Sequence, residues 1–427
     1  IGRPAGKRWT KKKDSLSQIS CWRELTRPSE IRKRAVEFFA ELYKCEYKED
    51  KTVTRQFLDG LPQVAAEAQV ELEQPLSLQE LYTALQGMEN GRAPGIDGLP
   101  VDFFKSFWAM LGEDWLAVVN DSLTGGLLPI SCRRAVLTLL PKKGDPREVK
   151  NWRPVALLCT DYKILSKALS NRLREVMGQI IHTDQSYCVP GRQIGDNISL
   201  IRDFLDVSRA IGLDAGLISI DQEKAFDRVE HQYLWHTFEA FGFSSGFIAM
   251  IEVIYGDIES VLKVNGGLSA PFKVCRGIRQ GCSLSGMLYA IAIEPLLNSI
   301  RSHIEGVYLS RDIPPICLSA YADDVVVLVK NQAEVDSLSL MVDRFRGISS
   351  AKVNWEKSCA LQIGEWSGGI MCEGIKPLLE MLEFLFKAVG IFSITLFLFW
   401  GFNIVSNRKE NVNCYILFWD KLRCQFF

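Results

Sequence analysis

Two adjacent aspartates, Asp323 and Asp324, lie between two apolar runs that have the composition of β-strands. Residues 316–320 precede the acidic pair and the β-branched run 325–329 follows it, which is typical of a strand, a tight turn and a strand. Two neighbouring carboxylates raise each other's pKa, and a divalent cation that prefers oxygen ligands relieves this repulsion. An ordinary polar hairpin has the same pattern, so the pair alone does not establish a metal site.

A third carboxylate, Asp221, ends the apolar run 216–220, where an acidic residue is an unusual choice for a buried strand. Two-metal nucleotidyl transfer needs carboxylates from neighbouring strands that hold ions about 3.5–4 Å apart. Asp221 meets this need if its strand pairs with the hairpin that carries Asp323. Asp227, six residues further on, has the residue type of a helix N-cap.

Length, charge and cysteine content narrow the class of protein. The chain has 427 residues, too many for one compact core, so two or more lobes are expected. Its 50 basic and 51 acidic residues balance, but residues 133–175 carry 11 Lys and Arg against 4 Asp and Glu. The twelve cysteines form no C-x-x-C pair, and the first residues do not resemble a signal peptide. These features predict reduced thiols in the nucleus or the cytoplasm.

Helices and loops alternate before the basic stretch. Ser77 opens a capping-box pattern that predicts a helix. Three glycines and two prolines in residues 90–100 predict a loop with unusual backbone conformations. Two amphipathic helices are predicted next, at residues 101–111 and 113–124.

A basic hairpin and a basic helix follow. Residues 133–140 and 151–155 predict two strands joined by a basic tip. The helix predicted at residues 160–181 has an apolar face, and on its opposite side are Lys163, Lys167 and Arg174. Such a stripe is typical of a solvated face and is also suited to phosphate contacts, and the pattern leaves both open. Asp196 is predicted to cap the following helix.

Three segments, in this order, resemble the palm motifs of reverse transcriptases: residues 220–229, 279–285 and 321–324. The fuller resemblance is to the LINE-type reverse transcriptases of non-LTR retrotransposons, whose fingers blocks are similar to residues 90–105, 139–155 and 182–192. The resemblance covers roughly residues 20–365. Six ordered blocks are far more specific than a single Ala-Asp-Asp.

This resemblance implies an RNA-directed DNA polymerase with an α+β right-hand fold, in which an antiparallel palm sheet adjoins fingers of mixed helices and strands. It implies Asp221, Asp323 and Asp324 as the catalytic carboxylates. They would bind two Mg²⁺ ions, for which Mn²⁺ could substitute, and the backbone carbonyl of Gln222 would complete the ligand set. The implied partners are an RNA template, a DNA primer and dNTPs.

The resemblance also assigns the nucleotide pocket. Lys142 and Arg153 match fingers residues that hold the triphosphate, a role suited to a point charge and a planar fork. Phe226 matches a steric gate against the 2′-hydroxyl of rNTPs. Gln280 and Gly281 match the loop that lines the dNTP pocket, where glycine allows close backbone approach.

Further positions match with less detail. Lys357 is the candidate general acid for the pyrophosphate, with Lys352 as the competing assignment. Ser283 and Gly286 stand where the family often has proline, and both small residues are expected to be tolerated. The residues expected to contact template or primer are Lys163, Lys167, Arg174 and Arg192.

The predicted organisation has four parts: a basic arm and helical linker (1–75), fingers with an amino-terminal extension (76–212), a palm (213–365) and an aberrant or truncated thumb (366–427). Residues 388–407 carry no charge and are long enough to span a bilayer, although a displaced thumb segment is the preferred interpretation. The start at Ile1 and the lack of an endonuclease domain predict a fragment. The alternatives are an inactive RNA-binding relic and a membrane-tethered truncated product.

Overall fold

The computed structural model describes residues 9–11, 23–48, 50–142, 144–364, 370 and 375–378. Most of the predicted basic arm, most of the predicted thumb and the whole apolar segment 388–407 lie outside these ranges. Among the described helices, none combines the length and the apolar character needed to cross a membrane.

Helices account for most of the regular structure in these ranges. In chain order they are α1 (Pro28–Leu42), α2 (Lys51–Leu58), α3 (Ala66–Leu72), α4 (Leu78–Gln86), α5 (Val101–Gly125), α6 (Ile130–Arg133), α7 (Thr160–Ile180), α8 (Ile194–Ile211), α9 (Ala225–Arg228), α10 (His231–Ala240), α11 (Ser245–Tyr255), α12 (Ser285–His303) and α13 (Gln332–Ser349). The capping box predicted at Ser77 is confirmed, because Ser77 and Glu80 each accept a hydrogen bond from the other's backbone N–H.

The described strands form two five-stranded sheets and one separate pair. They are β1 (Trp9–Lys11), β2 (Arg23–Leu25), β3 (Arg134–Pro141), β4 (Trp152–Leu157), β5 (Ala215–Ile220), β6 (Glu259–Val264), β7 (Gly267–Leu268), β8 (Phe272–Lys273), β9 (Leu318–Tyr321), β10 (Asp324–Val329), β11 (Cys359–Ile363) and β12 (Lys376–Leu378). We call the sheet with order β12-β11-β5-β10-β9 sheet I. Sheet II has the order β4-β3-β6-β7, and β8 also pairs with β6.

Sheet I is antiparallel from β11 to β9, as predicted for the palm. β12 lies beyond the predicted palm and pairs with β11 in parallel, so the sheet as a whole is mixed. Sheet II is mixed as well, because β3 runs antiparallel to β4 and parallel to β6. The fold is therefore a mixture of helices and mixed sheets.

Apolar residues on both faces hold sheet I in the interior. All six residues of β5 are buried, which agrees with its continuous apolar composition. Side chains on one face join the main core with α12 and α13, and those on the other face pack with α8 in a second core. Alternation along the strands assigns Ile218, Ile220, Val325 and Val327 to the first face, and Leu217, Val326, Leu328 and Leu361 to the second.

Two predicted helix boundaries are wrong for identifiable reasons. The two helices expected at 101–111 and 113–124 are one helix, α5, which continues through Gly112. A Cβ at Gly112 would lie 2.9 Å from the Trp108 ring and 3.0 Å from Leu78, so this glycine permits close packing rather than breaking the helix. Asp196 is the third residue of α8 and completes a capping box whose N-cap is Gln193, whereas we expected Asp196 itself at the cap.

A buried arginine, Arg276, connects the segment after α1 to the rest of the chain through hydrogen bonds. Arg276 is 1% exposed and donates hydrogen bonds to the Leu42 carbonyl (2.8 Å), Glu46 (3.0 Å) and Glu230 (3.2 Å). The hydrogen bond from Arg276 lowers the pKa of Glu46 to about 2. Residues that the sequence presented as a linker therefore pack directly beside sheet II and the segment that follows β5.

Candidate active site

The strand register of sheet I brings the three predicted carboxylates to one end of the sheet. Ile220 pairs with Val325 across β5 and β10, so Asp221 and Asp324 are the next opposed positions. Tyr321 pairs with Asp324 across β9 and β10, which leaves Ala322 and Asp323 as a two-residue turn. The convergence that the chemistry required is thus a consequence of antiparallel pairing.

The hairpin turn is strained at Ala322, whose φ is 55°. Asp323 does not share this positive φ, so the strain lies at the first residue of the turn, a position that glycine often occupies in two-residue hairpins. A left-handed conformation costs a residue with a Cβ roughly 1–2 kcal/mol. Such strain persists only where the surroundings hold it, and it is concentrated at functional sites.

Desolvation raises the pKa of all three carboxyls. It is the first cause for Asp221 and Asp323, and together with the charges of Asp323 and Asp221 it raises the pKa of Asp324 to about 7. No described side chain donates a hydrogen bond to any of the three. A site with only carboxylate oxygens, mutual repulsion and free acceptor capacity fits hard divalent cations such as Mg²⁺.

A second acidic group lies at the start of α7 and in the loop before α5. Ligand atoms of Asp97, Cys159 and Asp161 lie within 4.8 Å of one another, and Cys159 is buried. Burial raises the pKa of the Cys159 thiol to about 11, which disfavours the thiolate that would bind a metal.

Three cationic side chains surround the carboxylates. Lys142 follows β3 and Arg153 lies in β4, which pairs with it, and both are exposed. Desolvation, followed by the charge of Arg153, lowers the pKa of Lys142. The charges of Lys142 and Arg153 act on Asp323, and those of Lys357 and Lys142 act on Asp221. The charges of the two lysines and the arginine therefore favour the ionised form of the carboxylates on which they act.

The structure separates the two competing lysines. Lys357 lies in a turn that is fastened to Asp221, because Asn354 donates to the Asp221 carbonyl (2.8 Å) and Ser358 accepts from the Asp221 amide (3.1 Å). Lys352 instead pairs with Glu46 at 3.4 Å. Of the two, Lys357 is the one whose charge acts on Asp221.

Asp227 is not the helix N-cap that we expected, since it lies inside α9 and Lys224 occupies the cap position. Its Oδ1 accepts hydrogen bonds from the Tyr43 hydroxyl (3.0 Å) and from Gln280 Nε2 (3.2 Å). Desolvation raises the pKa of Asp227. Tyr43 was missed at the sequence level, because no local pattern links it to a residue 184 positions away.

Phe226 belongs to an aromatic cluster next to the carboxylates. Its ring stacks on Tyr289 with centroids 4.3 Å apart and meets Tyr187 edge-on at 6.4 Å. The Tyr289 hydroxyl donates to the Gln222 side chain at 3.2 Å. The ring of Phe226 is therefore fixed from two sides, while part of it stays accessible.

Glycines in the loop before α12 are required by close contacts. Gly281 has φ 128°, and a Cβ there would lie 2.4 Å from the Ala156 carbonyl of β4. The close approach in this structure is to the backbone of a strand of sheet II, whereas close approach to a nucleotide stays a prediction. A Cβ at Gly286 would lie 2.3 Å from Cys188 Sγ, so this departure from the family pattern is matched by local packing.

Of the four cations predicted to contact template or primer, Lys163 and Arg192 donate hydrogen bonds to backbone carbonyls in this structure. Lys163 Nζ donates to the Ala93 carbonyl at 2.9 Å. Arg192 donates to the carbonyls of three residues, Ile181, His182 and Gln185. Lys167 is half-buried and Arg174 is exposed on α7.

Comparison with known proteins agrees with this geometry. Residues 140–385, more than half of the chain, match the family described as reverse transcriptase (RNA-dependent DNA polymerase). The chain belongs to the reverse transcriptase family. Asp221, Asp227, Asp323 and Asp324 all lie within the matched region.

Relatives of this reverse transcriptase chain come from mobile elements. It is 45% identical over 359 residues to the uncharacterized 149 kDa protein of transposon TX1 from Xenopus laevis, covering 83% of this chain and 27% of that protein. It is 27% identical to a Pol polyprotein of the type-1 retrotransposable element R2 from Popillia japonica, over 72% of this chain and 42% of that protein. It is 23% identical to the RNA-directed DNA polymerase of the mobile element jockey from Drosophila funebris, over 66% of this chain and 31% of that protein. The LINE-type resemblance is confirmed, and the chain spans less than half the length of each of these relatives.

Proposed function

We propose that this chain catalyses RNA-directed DNA synthesis, by joining a dNTP to the 3′-hydroxyl of a DNA primer on an RNA template. The observation that carries the proposal is the convergence of Asp221 with Asp323 and Asp324 at one end of sheet I. Membership of the reverse transcriptase family supports the same reaction. We place it in a right-hand fold with fingers at 76–212 and a palm at 213–365, acting in the nucleus or the cytoplasm.

The residues that would hold two Mg²⁺ ions, or Mn²⁺ in their place, are Asp221, Asp323 and Asp324, together with the backbone carbonyl of Gln222. When bound, the ions lower the pKa of the attacking hydroxyl and offset the charge of the triphosphate. Asp221 is held for this role by the backbone contacts of the 354–358 turn. Asp323 and Asp324 are held by the hairpin.

The cations of the site are suited to the triphosphate of the dNTP. Arg153 presents a planar fork of N–H donors, and Lys142 presents a point charge beside it. Both are exposed and lie on the carboxylate side of sheet II, so an incoming anion can reach them. Lys357, whose charge acts on Asp221, would donate a proton to the leaving pyrophosphate.

The nucleotide pocket would be completed by Phe226, Gln280 and Gly281. Phe226, braced by Tyr289, would exclude a 2′-hydroxyl from the sugar site. Gln280, oriented by Asp227, would contact the nucleotide with its remaining polar atoms. The template and primer would lie along the basic residues Lys163, Lys167, Arg174 and Arg192.

Primer extension on an RNA template with dNTPs and Mg²⁺ tests this function. We expect extension by the wild-type chain and none by Asp323→Ala, because loss of a ligand removes the metal site. Asp343→Asn, which changes an exposed aspartate of α13, is the control and should extend normally. Template binding without extension by the wild-type chain would instead support an RNA-binding relic.

A further inference from the structure

The strained turn that carries Asp323 is held by one buried side chain. Gln185 is 0% exposed. Its Oε1 accepts from the Ala322 amide at 3.2 Å, and its Nε2 donates to the Ala322 carbonyl at 3.4 Å. Both polar groups of the Ala322 backbone are thereby engaged by the same amide, at the residue with φ 55°.

Gln185 is itself fixed in place by its own backbone. The segment around it forms a parallel bridge to β9, in which Ala320 donates to the Asp184 carbonyl (2.8 Å) and Ser186 donates to the Ala320 carbonyl (3.1 Å). Asn197 of α8 donates to Ala320 as well, at 3.0 Å. Arg301 holds the Asp184 carboxylate at 2.7 and 2.8 Å. Few degrees of freedom remain for the Gln185 amide.

The same oxygen also reaches the aromatic cluster. Gln185 Oε1 accepts from the Tyr187 amide at 2.9 Å. The Tyr187 ring lies 5.1 Å from Tyr321 and 6.4 Å from Phe226. One side chain therefore connects the turn of the carboxylates with the rings beside the proposed sugar site.

We propose that Gln185 is a positioning residue, which holds Ala322 in its left-handed conformation and thereby sets the position of the Asp323 carboxylate. The proposal rests on the proposed function for its catalytic consequence. Gln185 contacts neither nucleotide nor metal in this scheme. A residue that orients a ligand-bearing segment affects metal affinity and rate more than substrate affinity.

Gln185→Met tests the proposal, because methionine has a similar length and cannot form the two hydrogen bonds. We expect kcat for nucleotide incorporation to fall about 10- to 100-fold, with the dissociation constant for Mn²⁺, measured by electron paramagnetic resonance, rising by a similar factor. The KM for dNTP should change by no more than about threefold. Adding Ala322→Gly should restore part of the lost kcat, since glycine adopts a positive φ without strain.

Thr237→Val is the matched structural control. Thr237 is equally buried and donates one hydrogen bond, to the Tyr233 carbonyl within α10. It should lower the melting temperature without changing Mn²⁺ affinity. If Gln185→Met behaves like this control, with unchanged kcat and Mn²⁺ affinity, Gln185 is only structural and the proposal is wrong.

Two further outcomes are separable. If Gln185→Met does not fold, Gln185→Asn keeps the amide but places it too far from Ala322, and the same two measurements decide. If the wild-type chain extends no primer, the proposed function fails. Mn²⁺ affinity still tests Gln185 in that case, because it requires no catalysis.

Discussion

Asp227 and the trio of Asp221, Asp323 and Asp324 lie in the same site and have opposite surroundings. Asp227 holds two donors, the Tyr43 hydroxyl and the Gln280 amide. No described side chain donates to the trio, whose pKa values are raised by desolvation and, at Asp324, by the neighbouring aspartates.

Asp227 is a carboxylate that accepts hydrogen bonds from protein groups, whereas the carboxylates of the trio are available to bind ions. A buried carboxylate is tolerated when donors satisfy it, and Asp227 meets that condition within the chain. The trio lacks such donors among the described residues, so a cation is the partner that would satisfy it. The sequence predicted Asp227 as a helix N-cap, whereas in the structure its carboxylate accepts hydrogen bonds from Tyr43 and Gln280.

Asp227→Ala has the largest expected effect on stability of the variants that test this difference. It leaves the buried Tyr43 hydroxyl without an acceptor, so the free energy of unfolding should fall by about 1–3 kcal/mol. The KM for dNTP should rise at least about tenfold as Gln280 loses its orientation. Denaturant unfolding and steady-state kinetics measure the two effects. An unchanged KM would show that Gln280 does not depend on Asp227.

Arg153→Ala should raise the KM for dNTP by about 10- to 100-fold, the value of a hydrogen bond to a charged group. Its exposed position predicts little change in stability. Arg344→Ala, on the exposed face of α13, is the control and should leave the KM for dNTP unchanged. Equal increases in the KM for dNTP in the two variants would show that Arg153 does not bind the triphosphate.

Phe226→Val should increase incorporation of rNTPs relative to dNTPs by about tenfold or more, since a smaller side chain opens space below the sugar. Phe247→Val, in the core of α11, is the control for loss of a buried ring. The ratio of kcat/KM for dGTP and rGTP measures the effect. If Phe226→Val discriminates between dGTP and rGTP as well as wild type does, Phe226 is not the steric gate.

The smallest expected effect is on how the melting temperature depends on pH when no metal is bound. The pKa of Asp324 is about 7 in the folded chain and about 4 when unfolded, so its ionisation destabilises the fold as pH rises through this range. In EDTA, Asp324→Asn should melt about 1–2 °C above wild type at pH 8 and equal to it near pH 4, a small shift because Asp324 is exposed. A higher melting temperature for wild type at pH 8 would contradict the raised pKa.

The sequence was sufficient for parts of the site that follow from local pattern. Apolar runs ending in Asp221 and surrounding Asp323 specify strands, and antiparallel pairing then brings the carboxylates together. It was insufficient for Tyr43 and Gln185, which reach the site across 184 and 137 residues. Their contacts depend on how elements pack, and neither side chain has a residue type or spacing that marks it.

The glycines Gly112 and Gly281 also have roles that depend on how elements pack, which the local sequence does not show. Gly112 was expected to separate two helices, as local propensity favours. The structure uses it to admit Trp108 and Leu78 against α5, a packing reason that is visible only once α4 and α5 are placed together. At Gly281 the resemblance predicted close approach to a nucleotide, and the contact with β4 that the structure shows was not visible in the local sequence.

The most direct test of the central claim compares Asp221→Asn with Asp227→Asn in single-turnover incorporation of one dNTP on an RNA template with Mg²⁺. Asparagine keeps an oxygen acceptor and removes the charge in both. The account predicts a loss of at least about 1,000-fold in rate for Asp221→Asn, because a metal ligand is lost, and no more than about tenfold for Asp227→Asn, whose oxygen still accepts from Tyr43 and Gln280. Equal losses in the two variants, or a nearly unchanged rate for Asp221→Asn, would contradict it.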